Sequence, residues 1–75
     1  MTNTRLLKAK MILNNDTVSD LAKCLGINRQ NASIKINGKR DFKQSEIAKI
    51  ITRYNLTFDE VKDIFLNDNE EVFAS

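Results

Sequence analysis

The 75-residue chain has no proline and no histidine, two glycines and a single cysteine. With no proline to break a helix and few alternating β-branched runs, the chain is expected to be helical. Cys24 has no partner for an internal disulfide, and with no histidine a zinc site has too few ligands. The sequence holds no glycine-rich phosphate loop, no metal-ligand cluster and no pair of carboxylates at a catalytic spacing, so an enzyme is not expected, nor a cofactor or small-molecule substrate. No run of about 18 apolar residues is present, so no membrane span is expected. The N-terminus lacks a charged-then-apolar leader, which points to the cytoplasm.

Apolar residues make up 41% of the chain and charged residues 29%, proportions that suit a globular domain rather than a disordered one. The length allows one domain with a modest core. Its net charge is only +2, but the charge is unevenly placed. Residues 1–40 carry eight basic side chains against two acidic, a net +6; residues 41–75 carry four against eight, a net −4. A basic half of this kind is the footprint of a nucleic-acid binder, and also of an ordinary solvated surface.

Hydrophobic spacing predicts five short helices and an all-α fold. The first covers about Thr4–Leu13, with Leu6, Leu7, Met11 and Leu13 as apolar positions, and Asn14-Asn15-Asp16 forms a polar turn. Thr17 is a good N-cap and Asp20 can complete a capping box. Val18, Leu21, Ala22 and Leu25 then form one helical face, and Gly26 ends the helix at Leu25. Asn28 caps a third helix over Arg29–Ile36, in which Ala32 and Ile36 are apolar and Arg29, Gln30, Asn31, Ser33, Ile34 and Lys35 remain outside. A fourth helix starts near Gln44; Ile47, Ile50, Ile51 and Tyr54 form its apolar face, and Asn55 ends it. Thr57 with Glu60 opens a fifth, whose apolar positions are Phe58, Val61, Ile64 and Phe65. The expected core also includes Leu7, Met11, Val18, Leu21, Leu25, Ile27 and Phe42. The acidic stretch 67–75 shows no clear periodicity.

The order Leu21-Ala22, Leu25-Gly26-Ile27, Arg29-Gln30, Ser33, Ile36-Asn37-Gly38-Lys39-Arg40, Phe42 and Glu46-Ile47 resembles the helix-turn-helix of the phage repressor/Cro-like transcriptional regulators. The resemblance continues through Ile50, Asn55-Leu56-Thr57 and Phe65, so it spans nearly the whole chain. It implies a compact five-helix lambda-repressor-like DNA-binding domain over residues 1–66, with the third helix in the major groove, followed by an acidic C-terminal tail. At the base-facing positions it places Arg29, Gln30 and Ile34, with Ser33 close by. Arg suits guanine, Gln suits adenine and an aliphatic suits the thymine methyl. Phosphate contacts are expected from Thr17 and Ser19 at the start of the second helix, and from Asn28, Asn31, Lys35, Lys39, Arg40 and Lys43.

Two positions depart from the family pattern. Val18 stands where glutamine commonly contacts phosphate, so the backbone amides there must serve alone. Lys43 stands where serine or threonine commonly caps the fourth helix, leaving Glu46 to reach back. The family usually dimerises, and Phe65, Leu66, Val72 and Phe73 are the expected homodimer surface. The expected partner is thus a double-stranded DNA operator. The alternative is an antirepressor-like module that holds another regulator protein, a reading favoured by the acidic second half and by Val18.

Overall fold

The computed structural model describes residues 2–66 and arranges them as α1 (Thr4–Leu13), α2 (Val18–Leu25), α3 (Arg29–Ile36), α4 (Gln44–Tyr54) and α5 (Phe58–Phe65). No strand is present among the described residues. The helix limits follow from local chemistry. Asn3, Thr17, Asn28 and Thr57 each accept a hydrogen bond from a first-turn amide of the helix that follows. The Asp20 and Glu60 carboxylates return the bond to the Thr17 and Thr57 amides at 2.9 Å, completing two capping boxes. At α4 only half of that arrangement exists. The Lys43 side chain has donors alone and caps nothing, while Glu46 Oε1 accepts from the Lys43 amide at 2.8 Å.

Two helices end on left-handed residues, Gly26 (φ +73°) after α2 and Asn55 (φ +51°) after α4. Gly38 is also left-handed, at φ +79°, and a Cβ built there would lie 2.9 Å from Thr4 Cγ2, whereas one at Gly26 meets nothing within 4 Å. Gly26→Ala therefore carries only the backbone penalty of about 1–2 kcal/mol. Gly38→Ala adds an overpacking cost of about 1–3 kcal/mol. The expected result is a clearly lower denaturation midpoint for Gly38→Ala than for Gly26→Ala; equal midpoints would contradict the close approach of α1 to the end of α3.

The largest fully buried side chains come one from each helix: Leu7, Leu21, Ile36, Ile50 and Ile64. Small residues, Ala22 and Ala32, are buried on α2 and α3, which share the most extensive helix packing of the fold. Six residues expected in the core, Val18, Ile27, Ile47, Ile51, Val61 and Phe65, lie half-buried at its margin. Tyr54 and Leu56 are buried instead. The Asn55 turn folds the chain back, with the Leu56 amide bonded to Ile51 O, and directs Leu56 inward. Leu13 and Phe58, expected on apolar faces, are both 75% exposed, and Leu6 is 38% exposed. Phe58 opens α5 on the side away from the core, where the Lys62 ammonium lies 5.8 Å from its ring centroid.

Long-range polar links close the bundle. The Asn3 amide donates to Ile64 O, and Lys10 pairs with Glu60, so α1 and α5 run antiparallel. Asp16, in the α1–α2 turn, accepts from Arg53 Nη2 and from Tyr54 Oη, each at 2.7 Å. The Arg53 hydrogen bond holds the Asp16 carboxyl below its ordinary value of 3.8, outweighing burial and helped by Tyr54. Burial raises the Glu46 carboxyl, but the Lys35 ammonium and the Lys43 amide bring it below 4.5. Both depressed groups add stability that is complete above their unfolded values and is lost as pH falls through the folded ones. The denaturation midpoint is therefore expected to be flat above about pH 5 and to fall in the acid range. Asp16→Asn is expected to lower the midpoint at neutral pH, by about 2 kcal/mol, and to flatten the acid decline.

Candidate nucleic-acid interface

The α2–turn–α3 unit fixes the candidate site. Leu21, Ala22 and Leu25 anchor α2, the Ile27 amide bonds back to Ala22 O, and Ala32 and Ile36 anchor α3. The opposite side of α3 is therefore turned outward. Arg29 and Gln30 are exposed in its first turn, and neither side chain has a partner among the described residues. Ile34 lies one turn on from Gln30 and is half-buried. The arrangement presents a guanidinium, a carboxamide and an aliphatic on one short helix.

Ser33 is half-buried and already engaged. Asn37 Nδ2 donates to Ser33 Oγ at 3.3 Å and to Ser33 O at 2.9 Å, while Asn37 Oδ1 accepts from Lys8 Nζ at 2.8 Å. This chain ties α1 to the end of α3 and restricts the hydroxyl, so Ser33 holds the helix end as well as facing outward. The Asn28 Oδ1 atom is committed to the Asn31 amide at 2.7 Å; Asn31 is half-buried.

One expected phosphate contact is corrected. Lys35 is not on the outer face: it is 6% exposed, and its ammonium lies 2.7 and 2.9 Å from the two carboxylate oxygens of Glu46, itself 5% exposed. The pair clamps the end of α3 to the start of α4 and holds the ammonium inside the protein, out of reach of a phosphate. The sequence held a signal. Lys35 sits three residues after Ala32 and one before Ile36, on the core side of a helix with about 3.6 residues per turn.

The remaining cations, Lys39, Arg40 and Lys43, are exposed beside the end of α3; Lys39 and Arg40 have no charged partner among the described residues, while Lys43 also acts electrostatically on Glu46. The Gly38 and Lys39 amides bond to Lys35 O and Ile34 O, which folds this loop against α3. The start of α2 is less suited to an anion than expected. Thr17 is exposed and Ser19 half-buried, but the Asp20 carboxylate occupies the Thr17 amide and Asp16 is next to it. The Asp20 carboxylate offsets the positive end of the α2 dipole, while Asp16 is already paired with Arg53.

The expected dimer residues divide. Phe65 packs edge-on against Phe42, with ring centroids 6.1 Å apart, and so belongs to the fold. Leu66 is 49% exposed. Val72 and Phe73 lie outside the described residues.

No family model, curated protein or solved structure matches the chain. Among the described residues, no helix is long and apolar enough to cross a membrane, and no three metal-binding side chains gather.

Proposed function

We propose that the chain is a sequence-specific double-stranded-DNA-binding transcriptional regulator, a small cytoplasmic repressor of the phage or mobile-element kind, reading bases with α3. The observation that carries this reading is the outer face of α3, where Arg29 and Gln30 stand exposed without partners among the described residues and Lys39, Arg40 and Lys43 follow at its end. In this role Arg29 would take guanine, Gln30 adenine and Ile34 a thymine methyl. The three cations would hold the phosphates on either side. The resemblance to the repressor/Cro-like regulators supports the same assignment.

Binding to a mixed-sequence duplex, followed by fluorescence anisotropy as salt is raised, tests the phosphate part. Affinity is expected to fall steeply with salt. Lys39→Ala combined with Arg40→Ala is expected to weaken all sequences alike and to reduce the logarithmic salt slope by about two. An unchanged slope would remove both residues from the interface. The second reading, a module that binds another regulator, is favoured by Asp20 at the start of α2, whose carboxylate takes the Thr17 amide that a phosphate would use. Complete absence of duplex binding at low salt would favour it.

A further inference from the structure

We propose that Asn37, held in place by Lys8, sets the hydrogen-bond polarity of Ser33, so that the base facing Ser33 is selected for an acceptor, guanine or thymine over cytosine. The inference rests on α3 reading bases and names what this one position reads. Ser33 stands four residues after Arg29 and three after Gln30, on the same side of α3. A serine hydroxyl has one hydrogen and two lone pairs, and by itself pairs with either kind of base edge. In a helix it commonly bonds to the carbonyl four residues back, as the Thr52 hydroxyl does to Ala48 O at 3.2 Å. Ser33 makes no such bond: its hydroxyl donates to nothing among the described residues.

The hydroxyl accepts instead. Asn37 Nδ2 lies 3.3 Å from Ser33 Oγ and 2.9 Å from Ser33 O, and Asn37 Oδ1 lies 2.8 Å from Lys8 Nζ. The amide cannot be turned round. The Lys8 ammonium has only donors, so it requires the amide oxygen; the Ser33 carbonyl has only lone pairs, so it requires the amide nitrogen. Asn37 therefore presents N–H to the hydroxyl and excludes the Ser33 hydrogen from that side. Accepting a bond also polarises the O–H and makes it a better donor. The half-buried hydroxyl is left with a hydrogen to give to a group outside the protein. In the major groove guanine offers N7 and O6 and thymine offers O4, adenine sets one acceptor beside a donor, and cytosine offers only its amino group. Lys8 and Asn37 act through Ser33 and are positioning residues, Lys8 from α1, 25 positions earlier than Ser33 in the sequence.

Selection from random duplex DNA by the wild type, Ser33→Ala, Asn37→Ala and Asn37→Asp tests the proposal, with cooperative melting as the check on folding. Ser33→Ala is expected to relax one position of the selected motif by roughly tenfold, the low end of what a base contact discriminates. Asn37→Ala frees the hydroxyl to pair either way and is expected to relax that same position. Asn37→Asp puts an oxygen where the amide nitrogen stood, so the carboxylate accepts from both Lys8 and Ser33. The hydroxyl hydrogen then turns inward and a lone pair faces the base. The preferred pair at that position is expected to exchange, from one presenting guanine O6 or thymine O4 to one presenting adenine N6 or cytosine N4. The added negative charge weakens binding to every sequence alike and exchanges no base pair. Ser33→Ala or Asn37→Ala motifs identical to that of the wild type would overturn the proposal, as would a folded Asn37→Asp that keeps the wild-type pair. Those results leave Arg29 and Gln30 as readers. A wild type that enriches no motif overturns base reading by α3, and this inference with it.

Discussion

Glu46→Ala is expected to abolish most of the domain's stability. Glu46 and Lys35 are 5% and 6% exposed, and the substitution leaves the Lys35 ammonium inside the protein without its two acceptors. Stranding one member of a buried pair costs about 3–5 kcal/mol. A domain of this size commonly holds no more than about 3–5 kcal/mol in all. The Lys43 amide at the start of α4 also loses its acceptor. The expected readout is a non-cooperative or near-absent thermal transition by circular dichroism. Lys35→Met combined with Glu46→Leu removes both charges and fills the space with apolar atoms. That double variant is expected to be more stable than Glu46→Ala, since a hydrophobic replacement of a buried pair is often neutral or better. If Glu46→Ala lost less than about 1 kcal/mol, the range of a surface ion pair, the ammonium would be in water. Lys35 would then return to the set of phosphate contacts.

Arg29→Ala and Gln30→Ala are expected to behave in the opposite way, leaving stability intact and removing specific DNA binding. Both side chains are exposed and neither has a partner within the described fold, so truncation removes no internal contact. Substitutions at such positions commonly shift stability by less than about 0.5 kcal/mol. Each base contact contributes about 1–3 kcal/mol of discrimination, so the double variant is expected to lose roughly a hundredfold or more between a selected site and a random duplex. Non-specific binding, carried by Lys39, Arg40 and Lys43, is expected to survive. Unchanged discrimination in the double variant would move the reading surface away from α3.

The contrast between Glu46 and Arg29 also marks how far the sequence could be read. All five helices were legible because their limits are set within one turn: Thr17 with Asp20, Thr57 with Glu60, Asn28 with the Asn31 amide, and Gly26 at a left-handed C-terminus. The exposed first turn of α3 was legible for the same reason, as it lies opposite Ala32 and Ile36. What escaped depends on partners distant in sequence. Spacing puts Lys35 on the core side of α3, but the carboxylate of Glu46, eleven residues on, that pairs with it there is visible only in the fold. Asp16 reads as a turn residue, yet it holds Arg53 and Tyr54 from more than 35 positions away. Leu13 and Phe58 fit apolar helical spacing but fall past the ends of the packed surfaces, and both are 75% exposed. Spacing gives the face of a helix; it does not give the length over which a neighbouring helix covers that face.

The most direct test of the central claim is selection from random double-stranded DNA by the purified chain at about physiological salt, near 0.15 M. The account predicts enrichment of one short motif, present as two inverted half-sites with centres about one helical turn apart, and loss of that enrichment in the Arg29→Ala, Gln30→Ala variant. A folded protein that enriches no sequence would contradict it and would assign the exposed face of α3 to a protein partner.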